Sequence, residues 1–316
     1  MRSLPRHMHW RKGYEADRYC RHLSKEDLEQ RVRDIILNMM MLTDEGKIGF
    51  GDIEDSSTQL WWLRWTEVLH EMQLRYGPPP GGFTNGFLRR DPLPDLAGRL
   101  GKKAATALAK RRPDGAGAFM KYGKLAYMRP LLERGQLRIQ PASYFASTSH
   151  NGAVRDDELS LAVSLVLSRE DVAQLVANPY DVPQDAPDQT VEVSYSSPTD
   201  YWLYCVTTSV NARLFVDFQA DACVMIHDQS AFTQRLIDAA ESALPQSQSL
   251  VGKANYIDPH RPQSALGNVP LAKHFRYSYQ QEHRFAWLPI LPSQALSHVD
   301  VEIGSLRDIA ELITFD

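Results

Sequence analysis

Phe275-Arg276-Tyr277-Ser278-Tyr279-Gln280-Gln281-Glu282-His283-Arg284-Phe285-Ala286-Trp287 is the stretch whose reading decides the fold. Phe275, Tyr277, Tyr279, Phe285 and Trp287 recur at a spacing of two, interrupted by Gln281 and His283. Arg276, Ser278, Gln280, Glu282 and Arg284 occupy the alternate positions. Side chains of a strand alternate between its two faces. The pattern therefore predicts a strand over 275–288 with an aromatic packing face and a polar face carrying Gln280 and Glu282 side by side. A half-buried antiparallel strand has a polar face whether or not it does chemistry. Alternation alone decides nothing about function, and the rest of the chain must supply the company for these two side chains.

Working back from this strand, short apolar runs predict further strands over 118–122, 137–140, 159–167, 191–195, 201–207, 214–218, 222–226, about 254–257 and 299–303. Helices are expected over 125–134, stopped by Gly135, over 232–243, and as a short element at the C-terminus. Residues 147–157 read as a polar loop, and 244–270 as mostly loop opened by Pro245. The front is different. Its first twenty residues show no periodicity. Ser24 followed by Lys25, Glu26 and Asp27 is a helix N-cap with acid in the first turn, and Leu28, Val32, Ile35, Ile36, Met39 and Met40 carry a helical stripe to about Leu42. A second helix over 57–76 holds Trp61, Trp62 and Trp65 on a packing face and stops at Gly77-Pro78-Pro79-Pro80. A third, over 96–112, ends in Lys110-Arg111-Arg112. Pro113-Asp114-Gly115-Ala116-Gly117 is the expected domain boundary. The fold class expected is α+β: a helical N-terminal region over 1–112, then a domain over 118–316 built on a mixed, mostly antiparallel sheet.

The 316 residues are 43% hydrophobic and 23% charged, as in an ordinary globular protein. No run of about 18 apolar residues exists, and Met1 to His7 has no apolar signal-peptide core, so no membrane partner is expected. Cys20, Cys205 and Cys223 are few, odd in number and without metal-ligand spacing; a cytosolic location with reduced thiols follows as the expectation. Charge is uneven: 20 Lys and Arg stand against 15 Asp and Glu through Arg112, and 15 against 24 beyond it. The front could touch phosphates, while its excess of positive charge is no larger than that of many helical domains. A phosphate-binding glycine loop, a His-Glu-x-x-His zinc motif and a Gly-x-Ser-x-Gly nucleophile elbow are all missing from the sequence, which disfavours a P-loop NTPase, a zinc hydrolase and an α/β-hydrolase. No metal is expected.

Phe119-Met120-Lys121-Tyr122-Gly123, the helix after it, Gly135 and Leu137-Arg138-Ile139-Gln140 form a strand–helix–glycine–strand unit. Together with Tyr201-Trp202-Leu203-Tyr204 and Glu282-His283-Arg284, this unit resembles bacterial proteins of the DUF2971 type over roughly 118–289. The arrangement is in turn similar to a divergent ADP-ribosyltransferase fold of the DarT-like and C3-like kinds. Those families place a basic residue on the first strand, a Ser, Thr or Tyr on a middle strand, and a late Gln-x-Glu or Glu-x-Glu. Gln280-Gln281-Glu282 matches the last motif, and Lys121 stands where Arg or His is usual. The resemblance implies NAD as substrate, Glu282 and Gln280 as catalytic residues, and Lys121, Tyr122, Tyr204, Ser209 and Arg284 around the dinucleotide. Ser147-Thr148-Ser149 is an alternative to Thr207-Thr208-Ser209 for the middle element. It further implies a toxin or phage-defence effector, with an RNA, DNA or protein acceptor and an antitoxin as partners. A non-catalytic nucleotide- or partner-binding module on the same fold, and a nuclease, are the other readings left open.

Overall fold

The computed structural model describes residues 5–78, 93–109, 117–175, 188–261 and 268–315, with positions 82 and 183 in isolation. The cationic turn at 110–112 and most of the proposed boundary at 113–117 lie outside the described residues.

Three helices make most of the front: α1 (Arg6–Ala16), α2 (Lys25–Met39) and α3 (Ser56–Tyr76), followed by α4 (Arg99–Ala109). Ser24 caps α2 as its sequence predicts. Its hydroxyl accepts the Asp27 N–H while the Asp27 carboxylate reaches back to the Ser24 N–H, a reciprocal capping box. Two expectations are corrected here. The unpatterned first segment contains α1, whose Tyr14 is buried and donates to Glu71 of α3 at 2.7 Å. The stripe expected to stay helical through Leu42 leaves the helix at Met40, and β1 (Met40–Leu42) pairs with β2 (Ile48–Phe50).

The remainder is mixed α+β with mostly antiparallel pairing. An eight-stranded sheet runs in the order β13 (Val299–Glu302), β4 (Gln136–Pro141), β7 (Trp202–Thr207), β3 (Phe119–Gly123), β8 (Ala222–Ile226), β14 (Ala310–Thr314), with β12 (Glu282–Pro289) on β7 and β9 (Ser247–Lys253) on β12. Its strands are antiparallel. β5 (Ser160–Leu167) and β6 (Gln189–Ser196) form a separate hairpin, and β10 (Asn255–Ile257) and β11 (Ala272–His274) a short parallel pair. Between β3 and β4 runs α5 (Leu125–Arg134). It ends on Gly135 at φ +67°, where a Cβ would come within 2.2 Å of the Gly304 carbonyl oxygen. Only glycine satisfies both the left-handed backbone and the close approach.

The pairing of β7 positions the site. Thr207 pairs with Glu282 of β12 and also with Met120 of β3, so those two strands lie on opposite edges of β7. Leu203 pairs with Ala286 of β12 and with Gln140 of β4, by the same logic. β3 and β4 thus share one edge of β7, one at each end, and part between Leu203 and Thr207. The sheet is split there, over Tyr204, Cys205 and Val206.

Both faces of the sheet are covered. On one, Leu28, Val32 and Ile35 of α2, Val68 of α3 and Leu108 of α4 pack with Met120, Phe215, Met225, Phe275 and Ile313 in one continuous core. On the other, Phe119, Val224, Phe285 and Trp287 pack with Leu131 of α5 and with Phe232 and Leu236 of a helix over Gln229–Ala243. β8 is buried at every position because it serves both cores.

Four further expectations fail for identifiable reasons. Residues 275–280 are a 3-10 turn, not the first half of a strand. Asn38 of α2 donates to the Phe275 and Arg276 carbonyls at 3.1 and 3.2 Å and accepts the Tyr279 N–H at 2.9 Å. Ser278 Oγ donates to the Phe275 carbonyl at 2.7 Å. With these backbone groups already partnered by side chains, a neighbouring strand has nothing to add. Residues 213–217 are helical rather than extended: Asn211 Oδ1 accepts the Arg213 N–H and Arg213 pairs with Asp217 one turn on, at 2.7 Å. The supposed loop after 244 contains β9, a polar strand that pairs with β12. The expected C-terminal helix is β14, paired to β8 through Ala310–Thr314.

Candidate functional site

A cavity of about 310 Å³ opens at the split in the sheet. Its lining includes Lys121 and Tyr122 of β3, Gln140 of β4, Tyr204, Cys205 and Thr207 of β7, Lys273 of β11, Gln280 and Glu282, with Glu158, Ala153 and Val154 from the 147–158 segment. A second cavity, of about 660 Å³, lies between β3, α5 and β4 and shares Lys121, Tyr122, Gln140 and Tyr204 with the first.

Glu282 and Gln280 meet in this cavity by a route that strand geometry does not provide. Gln281 sits between them in the left-handed region at φ 44°, ψ 53°, so the chain reverses its path before β12 begins. Gln280 is buried; its Nε2 donates to the Ala153 carbonyl at 2.8 Å and its Oε1 has no partner among the described residues. The Glu282 N–H donates to the Tyr256 hydroxyl at 2.8 Å.

The Glu282 carboxylate is one member of a four-member charge cluster. Its Oε1 lies 2.7 Å from Lys273 Nζ and its Oε2 lies 3.0 Å from Arg284 Nε. Glu158 completes the square, 3.4 Å from Lys273 Nζ and 2.8 Å from Arg284 Nη2. Burial pushes the Glu282 carboxyl up, but Lys273 and Arg284 outweigh it and hold the group at about 2, so it is ionised throughout the neutral range. Burial likewise lowers Lys273, and the charges of Glu282 and Glu158 raise it well above its ordinary value.

Arg284 stands behind the cavity rather than in its lining. It is fully buried, and besides the two glutamates it donates through Nη1 to the Pro270 and Ala272 carbonyls at 3.0 and 3.1 Å. All of its guanidinium nitrogens are engaged, which leaves nothing to grip a pyrophosphate. Ser209 is also outside the lining; its N–H takes Thr207 Oγ1 at 3.1 Å. Of the two hydroxyl triplets, the middle strand contributes Thr207 to the cavity, whereas Ser147 and Ser149 bond each other on the surface at 2.9 Å.

Lys121 lies across the split. Its Nζ donates to the Cys205 carbonyl at 2.7 Å and sits 4.2 Å from the centre of the Tyr204 ring. In a closed sheet a strand amide would serve that carbonyl. Burial lowers the Lys121 ammonium, with Cys205 and Glu282 acting in the opposite direction. Tyr204 is buried, and its hydroxyl has no hydrogen-bond partner among the described residues. Tyr122 packs edge-on against Phe215 at 4.8 Å and accepts the Asn211 N–H at 3.1 Å. Burial pushes the Cys205 thiol up to about 12, which keeps it protonated and unreactive.

Two members of the site were not singled out from the sequence. Lys273 stands nine residues before Glu282 and looks like any surface lysine until the parallel pairing of β10 and β11 buries it. Glu158 lies at the end of a polar loop, where acidic residues are usually solvated; here the Tyr201 hydroxyl donates to its backbone carbonyl at 2.6 Å and fixes it inward. No helix among the described residues is long and apolar enough to cross a membrane, and no group of three or more His, Cys, Asp or Glu among them could hold a metal ion. Comparison with models of protein families, with curated proteins and with solved structures finds no match for this chain.

Proposed function

We propose that this chain is an ADP-ribosyltransferase that takes NAD as substrate, with Glu282 as its central carboxylate. The observation that carries the reading is convergence. Lys121 and Tyr122 of β3, Tyr204 of β7, Gln280 of the 3-10 turn and Glu282 of β12 come from four elements, and all five line the cavity at the split sheet. Breaking the nicotinamide–ribose bond develops positive charge on the ribose, as in glycoside chemistry. A carboxylate that stays ionised and is sheltered from water stabilises that charge and can accept the ribose 2′-hydroxyl proton in a hydrogen bond. One preorganised interaction of this kind is worth about 10²–10³ in rate. Gln280 Oε1 is a buried acceptor without a donor, suited to orienting an incoming nucleophile. Lys121 donates to the Cys205 carbonyl and lies over the Tyr204 ring, and no salt bridge to it is found among the described residues, which leaves its charge available to a phosphate. The unpartnered Tyr204 hydroxyl is a second group that a polar ligand would satisfy.

RNA is the favoured acceptor class, ahead of DNA and protein, in the setting of an intracellular toxin or defence effector. Incubating the chain with labelled NAD and cell lysate, then separating RNA, DNA and protein, tests both parts. Label is expected in one fraction, and Glu282→Gln is expected to abolish it while remaining folded. Undiminished labelling by Glu282→Gln overturns the assignment.

A second reading is favoured by one specific observation. Both oxygens of Glu282 are occupied by Lys273 and Arg284, as in a purely architectural ion pair. On that reading the cleft is a nucleotide-binding module without catalysis. Equal NAD affinity in wild type and Glu282→Gln, with no label in any fraction, selects it.

A further inference from the structure

We propose that Lys273 is a positioning residue for Glu282, holding its carboxylate at the cavity wall; the inference rests on the transferase reading above. The geometry is specific. Lys273 reaches the cavity from β11, Glu282 opens β12 nine residues later, and Glu158 precedes β5 far earlier in the chain, so three separate elements meet at one ammonium. Nζ lies 2.7 Å from Glu282 Oε1 and 3.4 Å from Glu158 Oε1. Arg284 holds the opposite oxygen of Glu282 from behind, at 3.0 Å. Clamped at both oxygens, the carboxylate has one orientation available. The two clamps are not equivalent. Arg284 lies outside the cavity lining and also ties down the Pro270 and Ala272 carbonyls. Lys273 is part of the lining, so it stands next to whatever Glu282 touches. A bridging ammonium also resolves a conflict, because Glu158 and Glu282 are two buried carboxylates that would otherwise repel.

Several charged and titratable groups act on Glu282 from its surroundings. Lys121 on β3 faces it across the cavity, Cys205 is on β7, Tyr256 on β10, Asp156 and Glu158 precede β5, and Arg284 shares its own strand. Lys273 and Arg284 are the cations within salt-bridge distance of it. Removing the Lys273 charge leaves Glu282 with the more distant negative charges of Glu158 and Asp156 and one cation fewer, which favours its protonated form.

Two measurements on the full chain test this. In the first, the carboxyl carbons of ¹³C-labelled glutamates are titrated by NMR, with Glu282→Gln supplying the assignment. Lys273→Met is expected to move the Glu282 titration upward by at least about one pH unit, the scale of losing an opposite charge at this distance. Lys273→Arg is expected to restore it, and also guards against loss of fold in the methionine variant. In the second, the pH profile of NAD cleavage by Lys273→Met is expected to show its acid limb moved the same way. Turnover should fall by at least about tenfold with KM little changed, as for a group whose orientation matters in the transition state. An unmoved Glu282 titration in folded Lys273→Met overturns the inference. A moved titration in a chain with no NAD cleavage in the wild type supports the clamp and overturns the transferase reading instead.

Discussion

Asp258 and Glu282 show at the level of single residues how this fold tolerates charge in its interior. Arg31 grips Asp258 through two bonds of 2.7 Å, and Arg64 stands 3.5 Å away. Burial pushes the Asp258 carboxyl up, but the Arg31 bonds and both charges prevail and hold it at about 2. Asp34 on the same helix as Arg31 goes the other way. Burial dominates, and its carboxyl rises from 3.8 to about 6 despite the Arg276 charge and the Gln30 hydrogen bond. The signs of the two effects on stability are opposite. Asp258 and Glu282 titrate lower in the folded state than in the unfolded chain, so their contribution is complete above the unfolded range and lost as pH falls through about 4 toward 2. Asp34 titrates higher when folded, so it costs stability above about pH 6 and this cost disappears as pH falls toward 4. The Asp34 cost should therefore show as a gap in melting temperature between Asp34→Asn and the parent chain, widest at about pH 8 and closed near about pH 4. Asp34→Asn should stabilise the protein by about 1–2 kcal/mol at about pH 8 and by little near about pH 4, read from thermal melts of variant and parent across the pH series. A gap that stays the same size across the series would show that titration of Asp34 is not its source.

Among the elements, the 3-10 turn at Phe275–Gln280 has the largest consequence. Aromatic residues at a spacing of two read as a strand, yet Asn38 of α2 claims the backbone groups that a strand would pair. Asn38→Ala leaves the Phe275 and Arg276 carbonyls and the Tyr279 amide short of a partner in a partly buried setting. The expected loss is about 2–3 kcal/mol. Hydrogen exchange localises it: the Tyr279 amide should lose protection before the amides of β12 do. Equal loss at both places would mean that Asn38 supports the fold in general and not this turn. Because Gln280 ends the turn and Gln281 takes the left-handed conformation after it, the turn also decides where the Gln280 amide meets Glu282.

Over the whole molecule, the helical front and the sheet are not separately cored. Leu28, Val32, Val68 and Leu108 share their hydrophobic cluster with Met120, Phe215, Met225 and Phe275. The buried Arg31–Asp258 pair and the bonds from Arg213 to the Leu37 and Met40 carbonyls cross the same junction. Breaking a buried pair by removing one partner costs about 3–5 kcal/mol. A fragment of residues 118–316 would expose one full face of its sheet and leave Asp258 without Arg31. It should be a compact state that binds hydrophobic dye, lacks near-ultraviolet circular dichroism and melts without a sharp transition, whereas the full chain should unfold in one cooperative step. A fragment with a sharp transition and native-like near-ultraviolet signal would show that the front is an accessory to an independent domain.

Capping chemistry and apolar periodicity are local, and where they decide an element the sequence alone was sufficient. Ser24 with Asp27 starts α2, Gly135 ends α5, and the apolar runs of β3, β7 and β8 mark the central strands. The α+β class followed from their order. The candidates Lys121, Tyr122, Tyr204, Gln280 and Glu282 were legible too, as residue types at positions suggested by a resemblance. What lay outside the sequence depends on partners far along the chain. The polar strand β9 exists because β12 offers it an edge. The C-terminal segment is extended because β8 does. The turn at 275–280 is set by an asparagine on α2, and Lys273 and Glu158 became site residues only when packing buried them against Glu282 and Arg284. A residue's own side chain determines its local preference, but the partner that satisfies a buried backbone group or charge is chosen by the tertiary fold, and in this protein that choice built the cavity.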